Sequence, residues 1–269
     1  MKATATKTSV EREGPRQRFL RAFGLGHRAP AAVPDGMRVY AVGDIHGRAD
    51  LLDKLHETID ADARHFPGRK EIVYLGDFID RGRDSKGVVD RVLNAVPFGL
   101  TPRYIRGNHD QALLDFLDQP ETYRAWRNYG AGETLLSYGV KPPLYDSLEH
   151  FSAASQELKA ALPRDHLAFF RGLEFKTVVG DYVFVHAGLR PGVPLERQSE
   201  QDLMWIRDEF LSATGSFGKV VVHGHTPVEA PVKAQNRISI DTGAYATGVL
   251  TSSVLEGATC RFLQARLKR

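Results

Sequence analysis

Glu71-Ile72-Val73-Tyr74-Leu75-Gly76-Asp77-Phe78-Ile79-Asp80-Arg81-Gly82 decides the fold class: a β-rich apolar run closes on a glycine, and two carboxylates and a guanidinium follow at once. A short apolar run bounded by turn residues reads as a buried strand. Charge placed directly after it sits at the strand's carboxyl end, where open α/β sheets keep their functional groups. Two other stretches repeat the pattern. Arg38-Val39-Tyr40-Ala41-Val42-Gly43 runs into Asp44-Ile45-His46-Gly47, and Pro102-Arg103-Tyr104-Ile105-Arg106-Gly107 runs into Asn108-His109-Asp110. Asp44, Asp77 and Asn108 are spaced by 33 and 31 residues, close to the roughly 30 that a strand, a helix and the next parallel strand occupy. Three consecutive βα units therefore deliver Asp, Asp and Asn to one edge of a parallel sheet.

The segments between these strands carry helix periodicity. Residues 48–64 place Leu51, Leu52, Leu55 and Ile59 on one face, and residues 85–96 do the same with Val88, Val89, Val92 and Leu93 behind the cap residues Asp84-Ser85. From residue 111 to 172 the strand signal disappears, which predicts a helical cap insertion. Its aromatics, Tyr123, Trp126 and Tyr129 among them, read as core rather than as substrate contacts. Strands return at 174–179 and 182–185 around a Gly180-Asp181 turn, then at 219–222 and 237–240, and a final antiparallel pair spans 249–255 and 259–267. The later strands end on His186-Ala187-Gly188, on His223-Gly224-His225-Thr226-Pro227 and on Asp241.

A chain of 269 residues with 42% hydrophobic and 26% charged content suits one α/β catalytic domain with an insertion. That domain is expected over residues 37–269. No run approaches the roughly 18 apolar residues of a transmembrane segment. The net charge of +3 is concentrated before residue 37, so no basic stripe points to nucleic acid as the primary ligand. Residues 1–36 lack the apolar core of a secretory signal and read as a basic, flexible tail, within which Arg16, Arg18 and Arg21 alternate with Phe19, Leu20, Phe23 and Leu25. The single cysteine, Cys260, excludes an intramolecular disulfide and a thiolate zinc site and accords with a cytoplasmic location.

Asp44, His46, Asp77, Asn108, His186 and His225 all fall at predicted strand ends. Any one of them alone would be an ordinary turn former, but five motifs built the same way form a set. It offers oxygen and nitrogen without sulfur and suits manganese, iron or zinc. Six ligands exceed one tetrahedral ion, and a carboxylate can bridge, so the set predicts two divalent ions about 3.5–4 Å apart with Asp77 between them. Paired ions of this kind polarise phosphoryl oxygens and acidify water, and the implied reaction is hydrolysis of a phosphoester.

These motifs, Gly43 to Gly47, Gly76-Asp77 through Asp80-Arg81-Gly82, Gly107 to Asp110, His186 to Leu189 and Gly224-His225-Thr226, resemble the calcineurin-like metallophosphoesterases. The Asp80-Arg81-Gly82 ending is similar to the serine/threonine phosphoprotein phosphatases, particularly their bacterial and phage members. The resemblance implies a four-layer α-β-β-α sandwich. It gives Asp44, His46 and Asp77 to one ion and Asp77, Asn108, His186 and His225 to the other, with manganese as the expected metal. It makes His109 the general acid, Asp80 its orienting partner, and Arg81, Asn108 and Arg207 phosphate-binding groups. Hydroxide supplied by the ions would attack phosphoserine or phosphothreonine directly. Asp110 and the Asp241-Thr242-Gly243-Ala244-Tyr245 loop favour the bacterial branch, where diadenosine tetraphosphate and other nucleotide hydrolases share the metal motifs. A phosphorylated small molecule is thus the alternative to a phosphoprotein substrate.

Overall fold

The alternation of apolar runs and amphipathic segments builds a parallel core. Strand β1 (Met37–Val42), helix α1 (Ala49–Ala63), strand β2 (Arg69–Tyr74), helix α2 (Ser85–Asn94) and strand β3 (Thr101–Tyr104) follow in order. β1 pairs in parallel with β2, Met37 opposite Arg69, and β2 with β3, Glu71 opposite Thr101. This is the predicted run of βα units, and α2 starts as expected, with the Asp84 carboxylate accepting from the Gly87 N–H at 2.9 Å. The computed structural model describes residues 30–267; the basic stretch 16–25 lies outside them.

The chain then crosses to a second sheet and returns. Strands β4 (Lys176–Val179), β5 (Tyr182–Val185), β6 (Val220–His223), β7 (Val232–Lys233) and β8 (Arg237–Ser239) form a sheet of order β4-β5-β6-β8-β7. Its inner strands β5, β6 and β8 are parallel, so His186, His225 and Asp241 follow the same edge. Strands β9 (Val249–Glu256) and β10 (Thr259–Arg266) rejoin the first sheet antiparallel, giving the order β10-β9-β1-β2-β3.

Side-chain alternation divides the layers. On β1, Val39 and Ala41 meet Phe184, Val222, Ile238 and Ile240 of the other sheet. Tyr40 and Val42 point the opposite way, into a core with Leu52 and Leu55 of α1 and Val88 and Val92 of α2. The outer face of the second sheet, Val183, Val185 and Val221, is covered by Leu203 of α8 (Glu200–Trp205) and Phe210 of α9 (Asp208–Leu211). Helices, two facing sheets and helices again make the expected four-layer sandwich. No helix among the described residues is long and apolar enough to cross a membrane.

The insertion folds as α3 (Asn108–Asp118), α4 (Tyr123–Trp126), α5 (Ala131–Ser137), α6 (Leu148–Ala161) and α7 (Arg164–Gly172). Its large apolar side chains, Phe116, Tyr123, Trp126 and Phe151, belong to the same core as Tyr40 and Leu52. The segment therefore thickens the helical layer instead of standing apart from it. Helix α3 begins at Asn108, three residues before the predicted start, so Asn108 to Asp110 form its first turn. Chain grouped with the tail is also packed: Val33 is buried and donates to the Gly257 carbonyl at 3.0 Å, and Ala32 and Asp181 exchange bonds of 3.1 and 2.9 Å.

Candidate metal and phosphate site

Five non-glycine residues among those described adopt positive φ, and all five are site residues: His46 (47°), Asp77 (51°), Asp80 (72°), Arg81 (66°) and His225 (64°). Each such residue costs about 1–3 kcal/mol and persists only where its surroundings over-determine it. Here the turns are stitched together. His46 N–H donates to Asp77 O at 2.8 Å and Gly47 N–H to Phe78 O at 3.0 Å. The buried Asp110 carboxylate accepts from the N–H groups of Asp77 (2.9 Å), Phe78 (3.1 Å) and Gly107 (2.9 Å). One acid in the first turn of α3 thus pins the Asp77 turn and the helix start together. The second sheet is brought up just as closely: a Cβ at Gly224 would fall 2.0 Å from Asp44 Oδ1. That approach lets the His225 N–H reach both Asp44 oxygens, at 3.0 and 3.2 Å.

Hydrogen bonds behind the histidines set their tautomers. His46 uses Nδ1 on the Ile79 carbonyl (2.8 Å) and His186 uses Nδ1 on the Leu75 carbonyl (2.9 Å). Burial holds both imidazoles well below their ordinary pKa, so they are neutral and each Nε2 is a bare lone pair. His46 Nε2 lies 3.4 Å from Asp77 Oδ2. His186 Nε2 lies 2.9 Å from Asn108 Oδ1, 3.1 Å from His225 Nδ1 and 3.5 Å from Asp77 Oδ2. Burial lowers His225 to about 3, and its Nε2 is buried without a partner.

The carboxylates are frustrated in the opposite sense. Burial raises Asp44 well above the carboxylate range, with Asp241 and Asp77 adding like charge, and burial likewise raises Asp77. Burial and Asp77 bring Asp110 to about 8, and burial brings Asp241 to about 6. Backbone N–H groups reach Asp44, Asp77, Asp110 and Asp241, yet lone pairs and like charges still face one another across the cluster, an arrangement that positive charge relieves. His46, Asp77 and His109 form one set of candidate ligand atoms lying within 4.8 Å of one another, and Asp77, His186 and His225 form a second. Sharing Asp77, they are positioned for a binuclear metal site. Asn108 joins the second set through His186, while Asp44 stands outside both, against His225 and Asp241.

His109 is built differently. Its Nδ1 lies 2.6 Å from Asp80 Oδ2. Asp80 is fully buried and also accepts from Trp126 Nε1 at 2.7 Å and from the Thr134 hydroxyl. Burial alone would lower His109, but Asp77 and Asp80 outweigh it and hold the imidazole above its ordinary pKa. Arg81 places Nη2 at 3.4 Å from His109 Nε2, with its guanidinium 4.6 Å from the ring centre of Tyr245. Arg207 lies beside His225, donating to Thr226 Oγ1 at 3.1 Å and to the His225 carbonyl at 3.4 Å. All ten residues singled out in the sequence thus lie at the shared edge of the two sheets or directly beside it.

Several neighbours were not singled out. Trp126 and Thr134, which hold Asp80, lie on faces whose periodicity signals only core. Tyr129 is 38% exposed and stands 5.8 Å from His109 and 6.1 Å from Trp205, ring to ring. Asp241 did carry a signal, since it ends a strand as Asp44 and Asp77 do.

Two facing sheets with a buried histidine–aspartate cluster at their common edge define a metal-dependent phosphoric ester hydrolase. The family model described as calcineurin-like phosphoesterase matches residues 37–251, and the chain belongs to that family. It is 26% identical to the asymmetrical bis(5'-nucleosyl)-tetraphosphatase PrpE of Geobacillus thermodenitrificans over 80% of this chain and 89% of that one. It is 30% identical to serine/threonine-protein phosphatase 1 of Salmonella typhimurium over 79% of this chain and 89% of the relative. A solved structure assigned as a diadenosine tetraphosphatase superposes with a TM-score of 0.59 at 20% identity, covering 90% of this chain and all (100%) of that one.

Proposed function

We propose that the chain hydrolyses phosphoserine and phosphothreonine in proteins, with Asp44, His46 and Asp77 toward one divalent ion, Asp77, Asn108, His186 and His225 toward the other, and manganese in both. Bound there, the ions supply Lewis-acid charge at the phosphoryl oxygens and an acidified water as nucleophile. Arg81, beside His109, and Arg207, beside His225, orient the phosphoryl group by charge-assisted hydrogen bonds. Asn108, at the start of α3, adds an amide donor or acceptor between them. His109 carries its proton on Nε2 toward the departing oxygen while Nδ1 stays bonded to Asp80.

The observation that carries this reading is the 2.6 Å Asp80–His109 pair, fixed by Trp126 and Thr134. A seryl or threonyl oxygen leaves as a strongly basic alkoxide and needs a proton in the transition state. A nucleoside phosphate leaves as a weak base and needs far less help, so a well-supported acid favours the alkoxide. A second reading, hydrolysis of a dinucleoside polyphosphate, is favoured by the exposed Tyr129 ring next to Trp205, which offers a base a stacking surface. The names of several relatives support it too. Side-by-side kcat/KM values for phosphoserine, phosphothreonine and phosphotyrosine peptides and diadenosine tetraphosphate, all with manganese, decide between them. The expected order puts phosphoserine and phosphothreonine first; preference for the tetraphosphate would replace the first reading with the second.

A further inference from the structure

Beside the candidate metal ligands, lined by Arg81 and Tyr245 among others, lies a cavity of about 520 Å³, within the range of ligand pockets. Its floor is backbone. A Cβ on Gly82 would fall 2.1 Å from the His46 carbonyl and one on Gly47 2.5 Å from the Gly82 carbonyl, so the two glycine turns touch directly. Asp84 N–H donates to Gly47 O at 3.0 Å and closes the seam. The floor is therefore rigid and belongs to the same turns that carry His46 and Arg81.

Four arginines and three aspartates line this cavity, and their pairing leaves positive charge over. Arg48 binds Asp50 through two bonds of 2.8 Å and anchors the Tyr245 segment by donating to the Ala244 carbonyl at 2.8 Å. Arg91 binds Asp53 at 2.6 Å and lies 3.7 Å from Asp84, whose carboxylate also caps α2. Those pairs account for all three carboxylates. Arg81 faces His109 and the Tyr245 ring, and Arg83 is exposed with no hydrogen bond or ion pair among the described residues. The N-terminus of the 15-residue α1 opens on the same wall and adds partial positive charge.

We propose that this cavity is a subsite for a second oxyanion on the same substrate molecule, held by Arg83, while Arg81 holds the phosphate being removed. The proposal rests on the phosphoprotein reading. Arg81 and Arg83 are two residues apart, hence at most about 7 Å Cα to Cα. A peptide spans the same distance between a residue and its second neighbour. The preferred sequence therefore carries a carboxylate or a further phosphate one or two positions from the phosphoserine.

The test compares the parent enzyme, Arg83→Ala, Arg83→Glu and Arg83→Lys, each loaded with manganese. The substrates are p-nitrophenyl phosphate and three phosphoserine peptides whose two flanking residues on each side are alanine, glutamate or phosphoserine. Arg83 is exposed and unpaired, so the variants are expected to fold. Arg83→Ala should raise KM about tenfold for the charged peptides, and Arg83→Glu should raise it further. Nitrophenyl phosphate and the alanine peptide should change less than about twofold on the same basis, and Arg83→Lys should restore part of the loss. The more affected charged peptide identifies the oxyanion. Uniform losses on all four substrates, or none, would overturn the subsite while leaving the phosphoprotein reading intact. A parent that cleaves nitrophenyl phosphate but no peptide would overturn both.

Discussion

Replacing His109 with asparagine should separate substrates by the basicity of their leaving groups. General acid help is typically worth about 10²–10⁴-fold, or roughly 2.7–5.5 kcal/mol of barrier at 1.36 kcal/mol per decade. The proposed acid has a firm support: Asp80 is fully buried and spends its acceptor capacity on Trp126, Thr134 and His109. A phosphoserine peptide, whose alkoxide needs the proton, should lose turnover across that range. p-Nitrophenyl phosphate, whose phenolate needs little, should lose less than about tenfold. Asp80→Asn keeps the shape but removes the charge that lifts His109, so the same bias should appear more mildly. Its alkaline limb for the peptide should also move to lower pH, because the carboxylate raises the His109 pKa. The assay is kcat for both substrates across pH, on protein with its metal content measured. Equal losses on the two substrates, with poorer metal retention, would refute the acid role and make His109 a structural support of the Asn108 turn.

Asp77→Asn should lower bound metal from two ions to one or none and abolish turnover with circular dichroism unchanged, since an amide cannot supply the charge shared by His46 and His186 at 3.4 and 3.5 Å; retention of two ions and near-parent rates would remove Asp77 as the bridge. Away from the site, His56 on α1 is lowered from 6.5 to about 4 by burial and bonds the Tyr74 hydroxyl at 2.8 Å. Below pH 6.5 the unfolded chain protonates this ring while the folded chain resists until about 4, so stability should fall as pH drops through that window, by up to about 3 kcal/mol. Urea midpoints at pH 7 and 4.5 should show a smaller acid loss in His56→Gln than in the parent, and an identical loss would assign the acid sensitivity elsewhere.

The strand ends were legible because burial on both faces forces a parallel strand into a continuous apolar run, and a glycine followed by a polar residue marks where it stops. That pattern located Asp44 and Asp77; Asn108 follows a glycine after a strand that is only partly buried, and His186 follows Val185 with no glycine between. The supports of the site were not legible, because nothing local distinguishes them. Trp126 lies 46 residues from Asp80, and Thr134 lies 54; each reads as one more residue on an amphipathic face. Asp110 shows the intermediate case. The sequence groups it with Asn108 and His109 at a strand end, but only the folded chain shows its carboxylate holding the Asp77 turn and the start of α3. Substrate preference was least legible, since Tyr129, Trp205, Tyr245 and Arg83 come together from four separate segments around the cluster.

The return of the chain to its first sheet has a consequence for how the protein is made. β1, the first strand among the described residues, ends up between β2 and β9, so one of its edges has no partner until β9 has been made. Asp44 and His225, which meet through a hydrogen bond, are 181 residues apart. At about 5–20 residues per second, roughly 9–36 s separate their synthesis. During that time an apolar strand edge and several buried-to-be carboxylates are on hand without their counterparts. Nascent-chain truncations ending before β9 should therefore engage holdase chaperones, and release from them should require β9 (Val249–Glu256) rather than completion of the parallel βα units.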